Sequence, residues 1–154
     1  MTTRIIKSVA LLLCLAVGLW AADPWLGTWK LNVAKSKFDP GPPPKSRTQT
    51  AEMVGDQIRS TSESVESDGR TSKSVWIGKS DGKPYPVEGS TPGVAAAVKR
   101  VGANVEEMIV TMNGKPTWTS QSTLSKNGRI FKSVEEGVGA KGVRLRNVTV
   151  WEKQ

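Results

Sequence analysis

The 154-residue chain carries 22 lysines and arginines against 14 aspartates and glutamates, a net charge of +8, with no histidine and one cysteine. Histidine-based catalytic triads and histidine-ligated metals are thereby excluded, and a lone cysteine makes no disulfide within the chain. A chain of this length forms one domain with a real core and needs no covalent staples.

The first element in chain order is MTTRIIKSVALLLCLAVGLWAAD, where Arg4 and Lys7 precede an apolar run from Val9 to Leu19 and small residues follow at Ala21 and Ala22. That layout predicts a secretory signal peptide over residues 1–22. The run is shorter than the roughly 20 apolar residues a spanning helix needs. Cys14, preceded by Leu13 and followed by more apolar residues, reads as filler in that segment and not as a lipid attachment point. The expected mature domain is then residues 23–154, periplasmic or secreted, free of transmembrane segments and of cysteine, with a net charge of +6 once Arg4 and Lys7 are removed from the +8.

Beyond residue 23 the chain reads as hairpins. Asp68-Gly69-Arg70, Asp81-Gly82-Lys83, Asn113-Gly114-Lys115 and Asn127-Gly128-Arg129 each place Asp or Asn before Gly and then a basic residue. Such pairs suit tight turns whose positive backbone dihedrals match the twist of antiparallel strands. Further breaks stand at Gly55-Asp56, Pro92-Gly93, Gly102-Ala103-Asn104 and Gly139 to Gly142. Between them the Val-, Thr-, Trp- and Ile-rich segments predict strands near 26–33, 45–53, 57–66, 71–78, 84–88, 94–101, 105–112, 117–125, 129–136 and 143–152. The alanines of 94–101 also fit a helical turn, and Pro84 and Pro86 mark 84–88 as an edge or loop piece, because neither can donate to a ladder.

Alternation sorts the faces. Trp29, Leu31 and Val33 share one side, as do Val75 and Ile77, and Met108, Val110 and Met112; all of these are expected to point inward. Two strands are polar where they should be apolar: Ser60, Ser62 and Ser64 share a face with Ile58, and Ser120 and Ser122 share one with Trp118 and Leu124. In a dry core each such hydroxyl would need a partner or cost about 1–3 kcal/mol. A closed barrel with a partly wet lumen avoids that cost, so the predicted fold is all-β: an antiparallel up-and-down meander closed into a barrel of about 8–10 strands. The alternative is a β-sandwich whose polar strand lies at an edge.

Gly27-Thr28-Trp29, on the first strand of the mature chain, resembles the signature of the lipocalin superfamily. The signal peptide, GTWKLNVAKSKFDPGPPPK, DGKPYPVEG and the closing VTVWEK together resemble small exported lipocalin-like (calycin) proteins of bacteria. The resemblance implies that Trp29 plugs one end of the barrel, that Gly27 allows a close approach, and that Arg144 or Arg146 packs across Trp29 in a cation–π contact. It also implies that the loop Ala34 to Lys45 lies over the barrel mouth and that the lumen binds small, often apolar molecules. The strand count, nearer ten than eight, departs from a typical lipocalin.

The expected partner is therefore a small hydrophobic or amphipathic molecule, and the candidate ligand-binding residues are Trp76, Tyr85, Met108, Met112, Trp118 and Phe131. Their aromatic and thioether side chains offer large, adaptable contact area. An alternative partner is an anionic envelope polymer held by the basic stretch Lys30 to Arg47, which carries Lys30, Lys35, Lys37, Lys45 and Arg47 against Asp39 alone. No catalysis is expected. The adjacent pairs Glu106-Glu107 and Glu135-Glu136 point to opposite faces of their strands, and Ser80-Asp81-Gly82-Lys83 has serine-x-x-lysine spacing but falls in a turn. No phosphate loop, metal cluster, cofactor motif or nucleic-acid module is present in the sequence.

Overall fold

A computed structural model describes residues 22–139 and 142–154. The signal-peptide expectation, with Cys14, lies outside these residues apart from Ala22.

Ten strands follow in order: β1 (Gly27–Leu31), β2 (Ser46–Val54), β3 (Gln57–Val65), β4 (Thr71–Gly78), β5 (Asp81–Glu88), β6 (Val94–Gly102), β7 (Val105–Met112), β8 (Lys115–Leu124), β9 (Ile130–Val138) and β10 (Arg144–Lys153). Each pairs antiparallel with its chain neighbours, and β1 also pairs with β10, which closes the barrel and excludes the sandwich. Each predicted segment is a strand, including the alanine-rich 94–101.

Turn chemistry explains most of the connections. Asn113 (φ 49°) and Gly114 (φ 78°) form the two-residue link between β7 and β8 with both dihedrals positive, as a primed hairpin turn requires. Asp81-Gly82 departs from expectation, because the β4–β5 link is Lys79-Ser80 and the Asp-Gly pair lies inside β5. There the register against β6 shifts between Asp81 and Pro84, so the positive φ of Gly82 serves a bulge instead of a hairpin.

β5 is also a full barrel member and not an edge piece. It pairs with β6 through Pro84↔Ala97, Tyr85↔Ala96 and Pro86↔Ala95, but with β4 only at Val75↔Glu88 and Trp76↔Val87. Prolines lack the N–H that a ladder needs on both sides. Trp76 reinforces this thin seam by reaching past β5, its indole N–H donating to the Ala96 carbonyl of β6 at 3.0 Å.

The first part of the segment after β1 lies along the barrel wall. It forms a short 3-10 turn at Val33–Lys35 and then runs beside β10, bridging Lys37 to Val148, with Arg146 N–H donating to the Asp39 carbonyl at 2.8 Å. It lengthens the barrel wall where the five-residue β1 stops short of β10's ten residues.

The main apolar cluster joins Trp25, Trp29, Leu31, Leu124, Phe131 and Trp151, with Val33 and Phe38 packed against it. Trp29 is 1% exposed and meets Phe131 edge-on at 4.9 Å, while Phe131 stacks on Trp151 at 5.5 Å. Trp29 therefore does plug one end, the end that carries the β2–β3, β4–β5, β6–β7 and β8–β9 links. Its cation is neither predicted arginine. Lys153 Nζ sits 5.0 Å above the Trp29 ring and donates to the Pro24 carbonyl at 2.8 Å, and a Cβ on Gly27 would come within 2.9 Å of Lys153 Cε. The reason is register: Trp29 lies opposite Lys153 on β10, whereas Arg146 lies opposite Glu136 on β9 and pairs with it at 3.2 Å. Arg144 and Arg146 are exposed and line an outer cleft instead.

Candidate functional site: a two-faced cavity

Above the plug the barrel encloses a cavity of about 400 Å³. Its lining follows from strand alternation and falls into two walls. Val87 of β5, Val94, Ala96 and Val98 of β6, and Met108 and Val110 of β7 make an apolar wall, with Trp76 of β4 and Trp118 of β8 at its borders. On the other strands the inward positions are mostly polar, Arg47 and Gln49 of β2, Ser60 and Ser62 of β3, Ser74 of β4, Ser120 and Ser122 of β8, and Ser133 and Glu135 of β9, with Ala51 and Ile58 apolar among them.

The serines of β3 and β8 line the cavity, as their alternation predicts. Gln49 Nε2 donates to Ser60 Oγ at 3.0 Å, Ser122 and Ser133 hydroxyls meet at 3.0 Å, and Arg47 Nε reaches Ser64 Oγ at 3.4 Å. Ser80 Oγ, Trp25 Nε1 and Arg100 Nε are buried on this cavity with no hydrogen-bond partner in the protein.

Space for the two border tryptophans comes from glycines facing them. A Cβ on Gly78 would lie 2.6 Å from both Trp76 and Tyr85, and one on Gly137 would lie 2.3 Å from Trp118 Cε3 and 2.7 Å from the Thr117 carbonyl oxygen. Trp76 and Trp118 can thus turn flat against the wall.

The charged groups are more informative. At the plugged end Arg100 bridges Asp23 at 2.8 Å and Glu106 at 3.3 Å, and its guanidinium lies 5.7 Å from the centre of the Trp25 ring. Burial pushes the Glu106 carboxyl above its usual range, opposed by the Arg100 charge. Higher on β9, Glu135 is 9% exposed and has no ion-pair partner among the described residues. Its Oε1 accepts from Thr149 Oγ1 at 2.9 Å and its Oε2 from Asn147 Nδ2 at 3.4 Å. Thr149, fully buried, accepts in turn from Trp151 Nε1 at 3.0 Å.

Of the six predicted ligand-binding residues, the cavity wall brings together Trp76, Met108, Trp118 and Phe131, the last as part of the plug. Tyr85 and Met112 do not line the cavity. Tyr85 packs edge-on against Trp76 at 5.9 Å and donates its hydroxyl to Asp81 Oδ2 at 3.0 Å, while Met112 has run past the wall into the β7–β8 hairpin, opposite Lys115. Val75 and Ile77, expected inward, alternate out of phase with Ser74 and Trp76, which face the cavity. The error was to follow two β-branched residues against the larger tryptophan between them.

The sequence weighs Glu106 and Glu135 only as pairs with their neighbours and Arg47 only as part of a basic stretch, and it does not single out Arg100; none of the four is expected in the cavity. A legible signal exists for Glu135: it follows Phe131 and Ser133 at period two, on the face it shares with Ser120 and Ser122 across on β8. The basic stretch Lys30 to Arg47 is not a single free surface either, since Lys35 pairs with Glu152 at 3.0 Å and Arg47 faces the cavity. No group of three or more potential metal ligands occurs among the described residues, and no helix there is long and apolar enough to cross a membrane.

No family model and no curated protein matches this chain. Among solved structures it is similar to the zebrafish ileal bile acid-binding protein in complex with cholic acid, at 12% identity and a TM-score of 0.48, over 85% of this chain and 99% of that one.

Proposed function

We propose that this protein is a non-catalytic carrier that holds one small amphipathic molecule inside its barrel, and that residues 1–22 direct its export. The observation that supports the reading is the two-faced cavity. A lining apolar throughout would pack shut or take a purely apolar guest. Here Met108, Val110, Val98, Trp76 and Trp118 face a seam of serine hydroxyls across about 400 Å³ of space. A ligand with an apolar body and a polar edge satisfies both walls at once.

The test is native mass spectrometry of the protein from its own source, with identification of whatever denaturation releases, repeated on Ser62→Phe. Ser62 lies on the polar wall, in register with Ser74 and Gln49, so a phenyl ring there occupies the cavity. The expected result is near-unit stoichiometry of a small molecule on the unmodified protein and its loss from the filled variant. A copurifying molecule retained by a folded Ser62→Phe would place binding elsewhere and refute the reading.

A further inference from the structure

The two carboxyl oxygens of Glu135 are both met by hydrogen-bond donors. Thr149 accepts the Trp151 indole N–H, so its single hydroxyl proton is directed to Glu135 Oε1 at 2.9 Å. The Asn147 amide donates to the other oxygen at 3.4 Å. Both oxygens therefore act as acceptors, and both partners are neutral.

A buried carboxylate with neutral donors alone is under-compensated, because hydrogen bonds replace only part of its hydration. Among the described residues the two arginines that line the cavity have other partners. Arg100 is committed to Asp23 and Glu106, and Arg47 to Ser64 and, at 4.0 Å, Glu66. Among the described residues no lysine or arginine nitrogen comes within 4.0 Å of Glu135. The position directly across from it on β8 is Ser120, and diagonal to it in register stands Trp118; both line the same cavity. A cavity that offers a carboxylate and an indole together suits a protonated amine, since the anion and the ring quadrupole both attract it.

We infer that the cavity selects amphipathic amines, with the protonated nitrogen on Glu135 beside Trp118 and the apolar body against Met108, Val110 and Trp76. This inference rests on the carrier reading above. The geometry supplies three neutral hydroxyls, those of Ser120, Ser122 and Ser133, to take the remaining ammonium protons directly or through water.

The experiment is calorimetric titration of the protein with three matched probes at neutral pH: octylamine, octanol and octanoate. Octylamine is expected to bind roughly tenfold or more tighter than either of the others, the ratio that one charge-assisted contact supplies. In Glu135→Gln that preference for octylamine over octanol is expected to disappear. If octanol or octanoate binds the unmodified protein as tightly as octylamine, or if Glu135→Gln keeps the full amine preference, the amine assignment is overturned and the carrier reading stands. If none of the three binds, both fail. The ranking on the unmodified protein decides the matter even where the variant does not fold.

Discussion

Substitution of Gly137 by alanine tests how the cavity makes room for Trp118. Gly137 is not among the residues with positive φ, so its backbone conformation suits any residue. In an ordinary strand the change would stabilise the protein by about 0.4–1 kcal/mol, by restricting the unfolded chain. Here the added Cβ would meet Trp118 Cε3 at 2.3 Å and the Thr117 carbonyl oxygen at 2.7 Å. The first collision can be relieved by moving a ring, but the second is with the β8 backbone at Thr117 and requires β8 and β9 to separate. Overpacking of this kind costs about 1–3 kcal/mol. The net expectation is a loss of about 1–2 kcal/mol, read as a lower urea midpoint at unchanged slope. That corresponds to roughly 3–8 °C in melting temperature for a domain of this size. A displaced Trp118 should also change the tryptophan emission and the near-ultraviolet dichroism. A Gly137→Ala protein as stable as the parent, or more so, would refute the view that this glycine is there to seat Trp118.

Lys153→Met removes the cation over Trp29 and its bond to the Pro24 carbonyl and is expected to cost about 1–2 kcal/mol in denaturant unfolding, whereas Arg144→Met and Arg146→Met stay within about 0.5 kcal/mol of the parent. Thr149→Val strips the bridge between Trp151 and Glu135 while preserving shape, and is expected to lose about 2–4 kcal/mol, because the buried indole N–H and carboxylate each forfeit a partner. For Glu106, burial raises the folded-state pKa above its ordinary value of 4.5. Between those two values the native state holds a proton that the unfolded state releases, so stability falls as pH rises through that window. Glu106→Gln is therefore expected to flatten the profile just above pH 4.5 in melts that follow unfolding against pH, and an unchanged slope would mean the carboxyl is not strained. Asp56, Asp68, Asp81 and Glu152 act in the opposite sense, their carboxyls held low chiefly by hydrogen bonds from Lys79, Arg70, Lys83 and Lys35, so their contribution is lost as pH falls through the acid range.

The sequence by itself determined the strands and the kind of interior. Glycine after Asn or Asp places turns through dihedrals that other residues avoid, and serines at period two on β3 and β8 mark a polar wall facing the cavity; both are local signals carried by one strand at a time. It also pointed to Trp29 as the plug, Gly27 as its companion, and Trp76, Met108, Trp118 and Phe131 as cavity-facing. What it left undecided depends on contacts between distant strands. That Lys153, and not Arg144 or Arg146, covers Trp29 is a matter of β1–β10 register, which no local pattern encodes. That Asp81-Gly82 makes a bulge depends on how β5 fits against β6. Glu135 is an isolated inward carboxylate only because β10 sets Thr149 and Asn147 beside it and the lumen's arginines are spent elsewhere. Burial and charge pairing are properties of the closed barrel, and a strand acquires them only when its neighbours arrive.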